Sequence, residues 1–139
     1  MTLVIDSSIT LAWFFEDERS DGADALMRQV AKTGAVVPSL WRLEIANALQ
    51  SAVRRKRISA AFRDASIADL RALPIAVDPE TDRHAWETTL TLAERCHLTL
   101  YDAAYLELAQ RLRVPLASLD RELRAGCRAV RVALRPASR

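Results

Sequence analysis

Four carboxylates stand where side chains of their kind could do chemistry together. Leu3-Val4-Ile5 is a short apolar run, rich in β-branched residues, and it ends in Asp6 followed by Ser7 and Ser8. Leu116-Ala117-Ser118-Leu119 repeats that pattern and ends in Asp120. If both runs are buried parallel strands, both carboxylates lie at the carboxyl edge of one sheet, where open α/β sheets bind their ligands. Asp102, in Thr99-Leu100-Tyr101-Asp102, opens a helix whose N-terminus favours negative charge. Glu44 lies early in a long helix, between Leu43 and Ile45, with Asn47 and Ala48 one turn on. A carboxylate in so apolar a stretch is costly unless it is paired or holds a metal.

Each residue also has a plainer use: Asp6 in a turn, Asp102 and Asp120 as helix caps, Glu44 against an arginine. The set is harder to explain that way. Four carboxylates at one edge, with no lysine or arginine evident among them, raise one another's pKa unless divalent cations occupy the edge. Oxygen-only ligands point to Mg²⁺, with Mn²⁺ able to substitute, rather than to zinc. An ion held there would lower the pKa of a bound water and make a hydroxide for in-line attack on a phosphodiester. No histidine, lysine or tyrosine base is then required.

The elements that must position these groups follow from the patterning. Ser7 to Phe15 reads as a short helix, and Asp21 to Thr33 as a second, stopped by Gly34 as a C-terminal cap. Ala35-Val36-Val37 is a strand closed by Pro38. A long helix then runs from about Leu40 to Arg57, with Trp41, Ile45, Leu49 and Val53 on its apolar stripe. Ser59 caps a helix to about Leu73, Pro74 breaks it, and Ile75-Ala76-Val77 makes a third strand. Asp78 to His97 is helical with room for an interruption, and Thr99 opens a helix through Arg113. After the Leu116–Leu119 strand, a short helix reaches Gly126, and Val130-Arg131-Val132 adds an edge strand. Alternating strands and helices give a parallel sheet covered on both faces.

At 139 residues the chain reads as one domain, residues 1–139, able to bury a real core. Half of it is hydrophobic and 27% charged, with a formal net charge of only +2, so bulk charge does not announce a nucleic-acid binder. All but two of the cationic residues, Lys32 and Lys56, are arginine. Cys96 and Cys127 are too few for a disulfide framework and lack metal spacing, which suits buried thiols in a reducing cytoplasm. No apolar run approaches membrane-spanning length and no signal region opens the chain. The expectation is a soluble cytoplasmic protein with no membrane partner.

With these residues in view, the chain resembles the PIN-domain ribonucleases of the VapC toxin type. The likeness rests on Val4-Ile5-Asp6-Ser7-Ser8, Pro38-Ser39-Leu40-Trp41-Arg42-Leu43-Glu44-Ile45-Ala46-Asn47-Ala48-Leu49, His97-Leu98-Thr99-Leu100-Tyr101-Asp102-Ala103-Ala104-Tyr105-Leu106 and Leu116-Ala117-Ser118-Leu119-Asp120-Arg121-Glu122-Leu123, in the family's order. The resemblance implies a three-layer α/β/α fold with a central, mainly parallel sheet of four to five short strands. It implies Asp6, Glu44, Asp102 and Asp120 as the catalytic, metal-holding set, supported by Ser8, Ser118 and Asn47. Ser118 stands where the family often has threonine, which keeps the hydroxyl. It further implies Mg²⁺-dependent cleavage of single-stranded RNA to 5′-phosphate and 3′-hydroxyl ends, by the toxin of a toxin–antitoxin pair that forms a homodimer.

Three other features carry expectations. Arg54, Arg55 and Arg57 end the long helix, where cations are favourable in any case, and are candidates for holding an RNA backbone. Trp13 and Phe14 are candidates for an antitoxin contact, with a core role the alternative. A haloacid-dehalogenase-type phosphatase would need a second aspartate where Ser8 stands, and a receiver domain an adjacent acidic pair and a late lysine, both lacking. A non-catalytic PIN-like protein that binds RNA or a partner requires a broken acidic set, and here all four positions are acidic.

Overall fold

A computed structural model describes residues 2–137. Five short strands, β1 (Val4–Ile5), β2 (Ala35–Val37), β3 (Ile75–Val77), β4 (Leu116–Ala117) and β5 (Leu134–Arg135), form one sheet in the order β3-β2-β1-β4-β5. Every pairing is parallel; β1 aligns Val4 with Val36 on one side and with Leu116 on the other. β1 is therefore central, and Leu3, Val4 and Ile5 are fully inaccessible, as a strand buried on both faces requires.

Eight helices complete the described chain: α1 (Ser7–Ala12), α2 (Asp21–Thr33), α3 (Trp41–Arg54), α4 (Ala60–Arg71), α5 (Thr81–His84), α6 (Thr88–Cys96), α7 (Leu100–Leu112) and α8 (Arg121–Ala129). α7 lies against β1 and β4 and is sandwiched by α6 and α8. Its residues Ala103 to Ala109 are all buried, the mark of a helix enclosed on every side. Gly126 lets α8 close on this layer: a Cβ there would stand 3.3 Å from Leu98 and Leu106 methyls. Inside α7, buried Glu107 is matched by Arg111, whose Nε and Nη2 donate to its two oxygens at 2.8 and 3.0 Å. The same guanidinium donates to Asp78, at the end of β3, at 2.7 and 3.3 Å. Burial would raise the Asp78 pKa, but Arg111 holds it below the usual carboxylate range.

The helix ends expected at Ser59, Thr99 and Gly34 are present. Ser20, Ser59, Thr99 and Asp120 each accept from a backbone N–H in the first turn of the following helix. Gly34 ends α2 at φ +80°. The other helix ends are less ordinary. α3, α6, α7 and α8 close through Lys56, His97, Arg113 and Arg131, all at φ between 56° and 60°. At α3, Arg57 N–H reaches Ala52 C=O and Lys56 N–H reaches Val53 C=O, a Schellman closure made without glycine.

Several boundaries differ from expectation. α1 stops at Ala12, because Phe15 turns extended to start a 3-10 turn over Glu16–Glu18. The left-handed Lys56 ends α3 before the basic run is complete. Trp86 sits in the turn that divides Asp78 to His97 into α5 and α6. The last strand is Leu134–Arg135 and not 130–132: Val130 caps α8 and Arg131 is left-handed, so the chain reaches β4 only where Leu116 meets Leu134.

Candidate active site

Asp6 leaves the sheet with its N–H still bonded to Ala117 C=O, then caps α1. Its Oδ1 accepts from Ile9 N–H at 3.0 Å and from the Ser8 hydroxyl at 2.7 Å; its Oδ2 accepts from the Ser118 hydroxyl at 2.5 Å. The residue is 4% exposed. Burial pushes its pKa up to about 6; the three hydrogen bonds oppose that shift and Asp102 adds to it.

The two serines also join the strand ends to each other. Ser8 accepts from Leu119 N–H at 2.9 Å, and Ser118 accepts from Asp120 N–H at 3.0 Å. Asp120 is thereby fixed at the start of α8, where its Oδ2 accepts from Leu123 N–H at 2.8 Å.

Glu44, in the first turn of α3, is held by hydroxyls from two other helices. Ser7 donates to Oε1 at 3.0 Å, and Tyr105 donates to the same oxygen. Thr99 accepts from Asp102 N–H at 3.1 Å, which sets the first turn of α7. The Asp102 pKa is raised, first by partial burial and then by the charges of Asp120 and Glu44, with Glu122 adding to them. No cation is among these principal influences. Asp102 thus feels the charges of Asp120 and Glu44, and Asp6 feels that of Asp102.

Donors that are all oxygen suit a hard divalent cation. Among the described residues, however, no group of three or more carboxylate, histidine or cysteine side chains is gathered closely enough to enclose an ion.

The remaining candidates lie elsewhere. Asn47 is exposed on α3. Arg54 and Arg55 are exposed at the far end of that helix, ~15 Å along its axis from Glu44. Arg57 is occupied: it donates to Asp17 at 3.0 Å and lies 4.5 Å over the Phe15 ring. Trp13 is buried, its indole N–H donating to Ala23 C=O at 2.9 Å. Phe14 is half-buried and lines an open groove of about 1110 Å³ with Met27, Phe62 and Leu73.

Three participants were not singled out from the sequence. Ser7 follows Asp6 directly. Tyr105 lies one helical turn after Asp102, on the same face of α7. Glu122 follows Asp120 by two residues. Only the Tyr105 spacing was a usable clue.

The family model for the PIN domain matches residues 3–128. The chain is 28% identical over 123 residues to Ribonuclease VapC3 of Pyrobaculum aerophilum, covering 88% of this chain and 92% of that one. It is 30% identical over 106 residues to Ribonuclease VapC3 of Mycobacterium tuberculosis, covering 75% and 73%. The crystal structure of PAE2754 from Pyrobaculum aerophilum superposes with a TM-score of 0.67 at 25% identity, over 91% of this chain and 87% of that one. VapBC2 from Rickettsia felis, solved bound to a DNA fragment from its promoter, gives 0.60 at 12% identity over 96% and 97%, a likeness of fold.

Proposed function

The chain belongs to the PIN domain family, and from that premise we propose that it is a Mg²⁺-dependent endoribonuclease, the toxin of a toxin–antitoxin pair. One observation carries the reading. Asp6 just past β1, Glu44 in the first turn of α3, Asp102 in the first turn of α7 and Asp120 at the start of α8 are four carboxylates, and Asp6 and Glu44 are each held in place by hydroxyls from other segments of the chain. Such a site is unfavourable without a bound cation.

Asp6, Glu44, Asp102 and Asp120 would hold the ion. When bound, it supplies the Lewis acid that lets water attack a phosphodiester near neutral pH and offsets charge on the leaving oxygen. The chain's own part is placement. Ser8 and Ser118 fix both oxygens of Asp6, Ser7 and Tyr105 fix Glu44, and Thr99 fixes the turn that presents Asp102. The carboxylates repel an RNA backbone, so the substrate must be held from outside the acidic edge. Arg54 and Arg55 are exposed and suited to phosphate. For the antitoxin, the groove beside Phe14 and Phe62 is the proposed seat, with a second copy of the chain completing a homodimer.

The test is cleavage of a single-stranded RNA by protein freed of any antitoxin, with Mg²⁺ or Mn²⁺ and with chelator. Metal-dependent cleavage that disappears in Asp6→Ala is expected. Cleavage that persists in chelator, or in Asp6→Ala, refutes the mechanism.

A further inference from the structure

We infer that Tyr105 and Ser7 are positioning residues that turn Glu44 so that one of its oxygens faces the acidic edge. This rests on the reading of that edge as a metal site. Tyr105 is 1% exposed, yet its hydroxyl is aimed at a carboxylate rather than at a backbone carbonyl. Ser7, in the first turn of α1, donates to the same Oε1 at 3.0 Å, and the two hydroxyl oxygens lie 3.1 Å apart. Each hydroxyl has one proton. With both directed at Oε1, that oxygen has two charge-assisted hydrogen bonds. Among the described residues none donates to Oε2.

The geometry has three consequences. A glutamate side chain has three rotatable bonds, and hydroxyls from two other helices remove most of that freedom. The atom left without a protein donor is then the one available as a ligand. Ser7 and Ser8 are also neighbours that serve different carboxylates, Glu44 and Asp6, so the first turn of α1 sets the relative placement of two members of the set. A tyrosine buried only for packing needs none of this: phenylalanine would fill the same space.

The experiment is a Mn²⁺ titration of the purified full chain by calorimetry, for wild type, Tyr105→Phe, Ser7→Ala and Glu44→Gln, with kcat and KM measured on one RNA. Loss of an interaction that orients a ligand typically weakens metal binding or activity 10–100-fold. Tyr105→Phe is expected to bind Mn²⁺ roughly 10–100-fold more weakly and to lose kcat with little change in KM. Ser7→Ala should move the same way by less. In a Glu44→Gln background Tyr105→Phe should have no further effect on Mn²⁺, because the oriented ligand is gone. Mn²⁺ affinity unchanged in Tyr105→Phe, with only its melting temperature altered, overturns the inference and returns Tyr105 to the core. Should that variant not fold, Ser7→Ala decides by the same criterion. A wild type that takes up no Mn²⁺ fails the reading of the site itself, and the inference with it.

Discussion

Replacing Asp6 by asparagine should stabilise the metal-free protein at high pH and not at low pH. The Asp6 carboxyl has a pKa near 6 in the fold against an ordinary value of 3.8. At 1.36 kcal/mol per pH unit, ionised Asp6 costs the fold ~3 kcal/mol. The sign follows from proton binding. Between pH 4 and 6 the folded state holds the proton more often than the unfolded state, so stability falls as pH rises through this window. The full cost is present above it. The substituted amide keeps an oxygen for Ile9 N–H and Ser8, but its NH₂ cannot accept from Ser118, a loss of about 1 kcal/mol. The net gain for Asp6→Asn is ~2 kcal/mol at pH 8, or about 4–8 °C in melting temperature for a chain of this size. At pH 5 roughly half of the ionisation cost is gone, and with it that part of the gain. Urea unfolding of both proteins at pH 5 and pH 8, in chelator, measures the difference directly. Equal differences at the two pH values refute the premise that Asp6 is an ionisable group penalised by burial.

Three other outcomes follow from the geometry. Ser118→Ala leaves Asp6 Oδ2 and Asp120 N–H without their shared partner and should cost about 1–3 kcal/mol at pH 8, with the Asp6 titration moved upward when followed by carboxyl NMR. Arg111→Met leaves Glu107 and Asp78 as uncompensated buried charges and should cost roughly 3–5 kcal/mol in denaturant unfolding, while Arg83→Met, at an exposed pair with Glu80, should cost less than about 1. Arg54→Gln with Arg55→Gln should flatten the slope of log K against log salt for single-stranded RNA by up to ~1.4, measured by fluorescence anisotropy; an unchanged slope leaves both residues as helix-end charges.

Much of the candidate site's local geometry was legible because its signals are local. A buried strand ending in a carboxylate marks Asp6 and Asp120 without reference to the rest of the chain, and a threonine three residues before Asp102 marks a helix start. Glu44 was visible as a charge in an apolar stretch, but its partners were not. Ser7 is 37 residues away and Tyr105 is 61, and no pattern announces that hydroxyls from α1 and α7 both reach Glu44 on α3. The Asp78–Arg111–Glu107 group was missed for the same reason. Its Glu107–Arg111 half has helical spacing, yet the carboxylate that makes it a buried cluster lies 33 residues from Arg111. β5 was misplaced by a few residues because an edge strand's position is set by its register with β4, which the sequence of the last helix does not contain. The bond from the Trp13 indole to Ala23 C=O was not visible either, because an aromatic run has no preferred side until α2 packs beside it.

The four left-handed helix ends have a consequence for how the molecule breathes. A left-handed residue with a side chain costs roughly 1–2 kcal/mol, and Lys56, His97, Arg113 and Arg131 each take that conformation. Three of them are lysine or arginine placed just beyond a helix C-terminus, where positive charge returns about 0.3–1 kcal/mol at low ionic strength. That compensation is electrostatic and is screened by salt; the backbone strain is not. The amides of Arg57, Val114 and Val132, which close those three ends on Ala52, Ala109 and Cys127, should therefore exchange with deuterium faster as salt is raised. Leu98 closes the remaining end on Ala93. Local opening at the closed end of α3, α7 and α8 thus becomes sensitive to ionic strength, while the sheet, held by burial, does not.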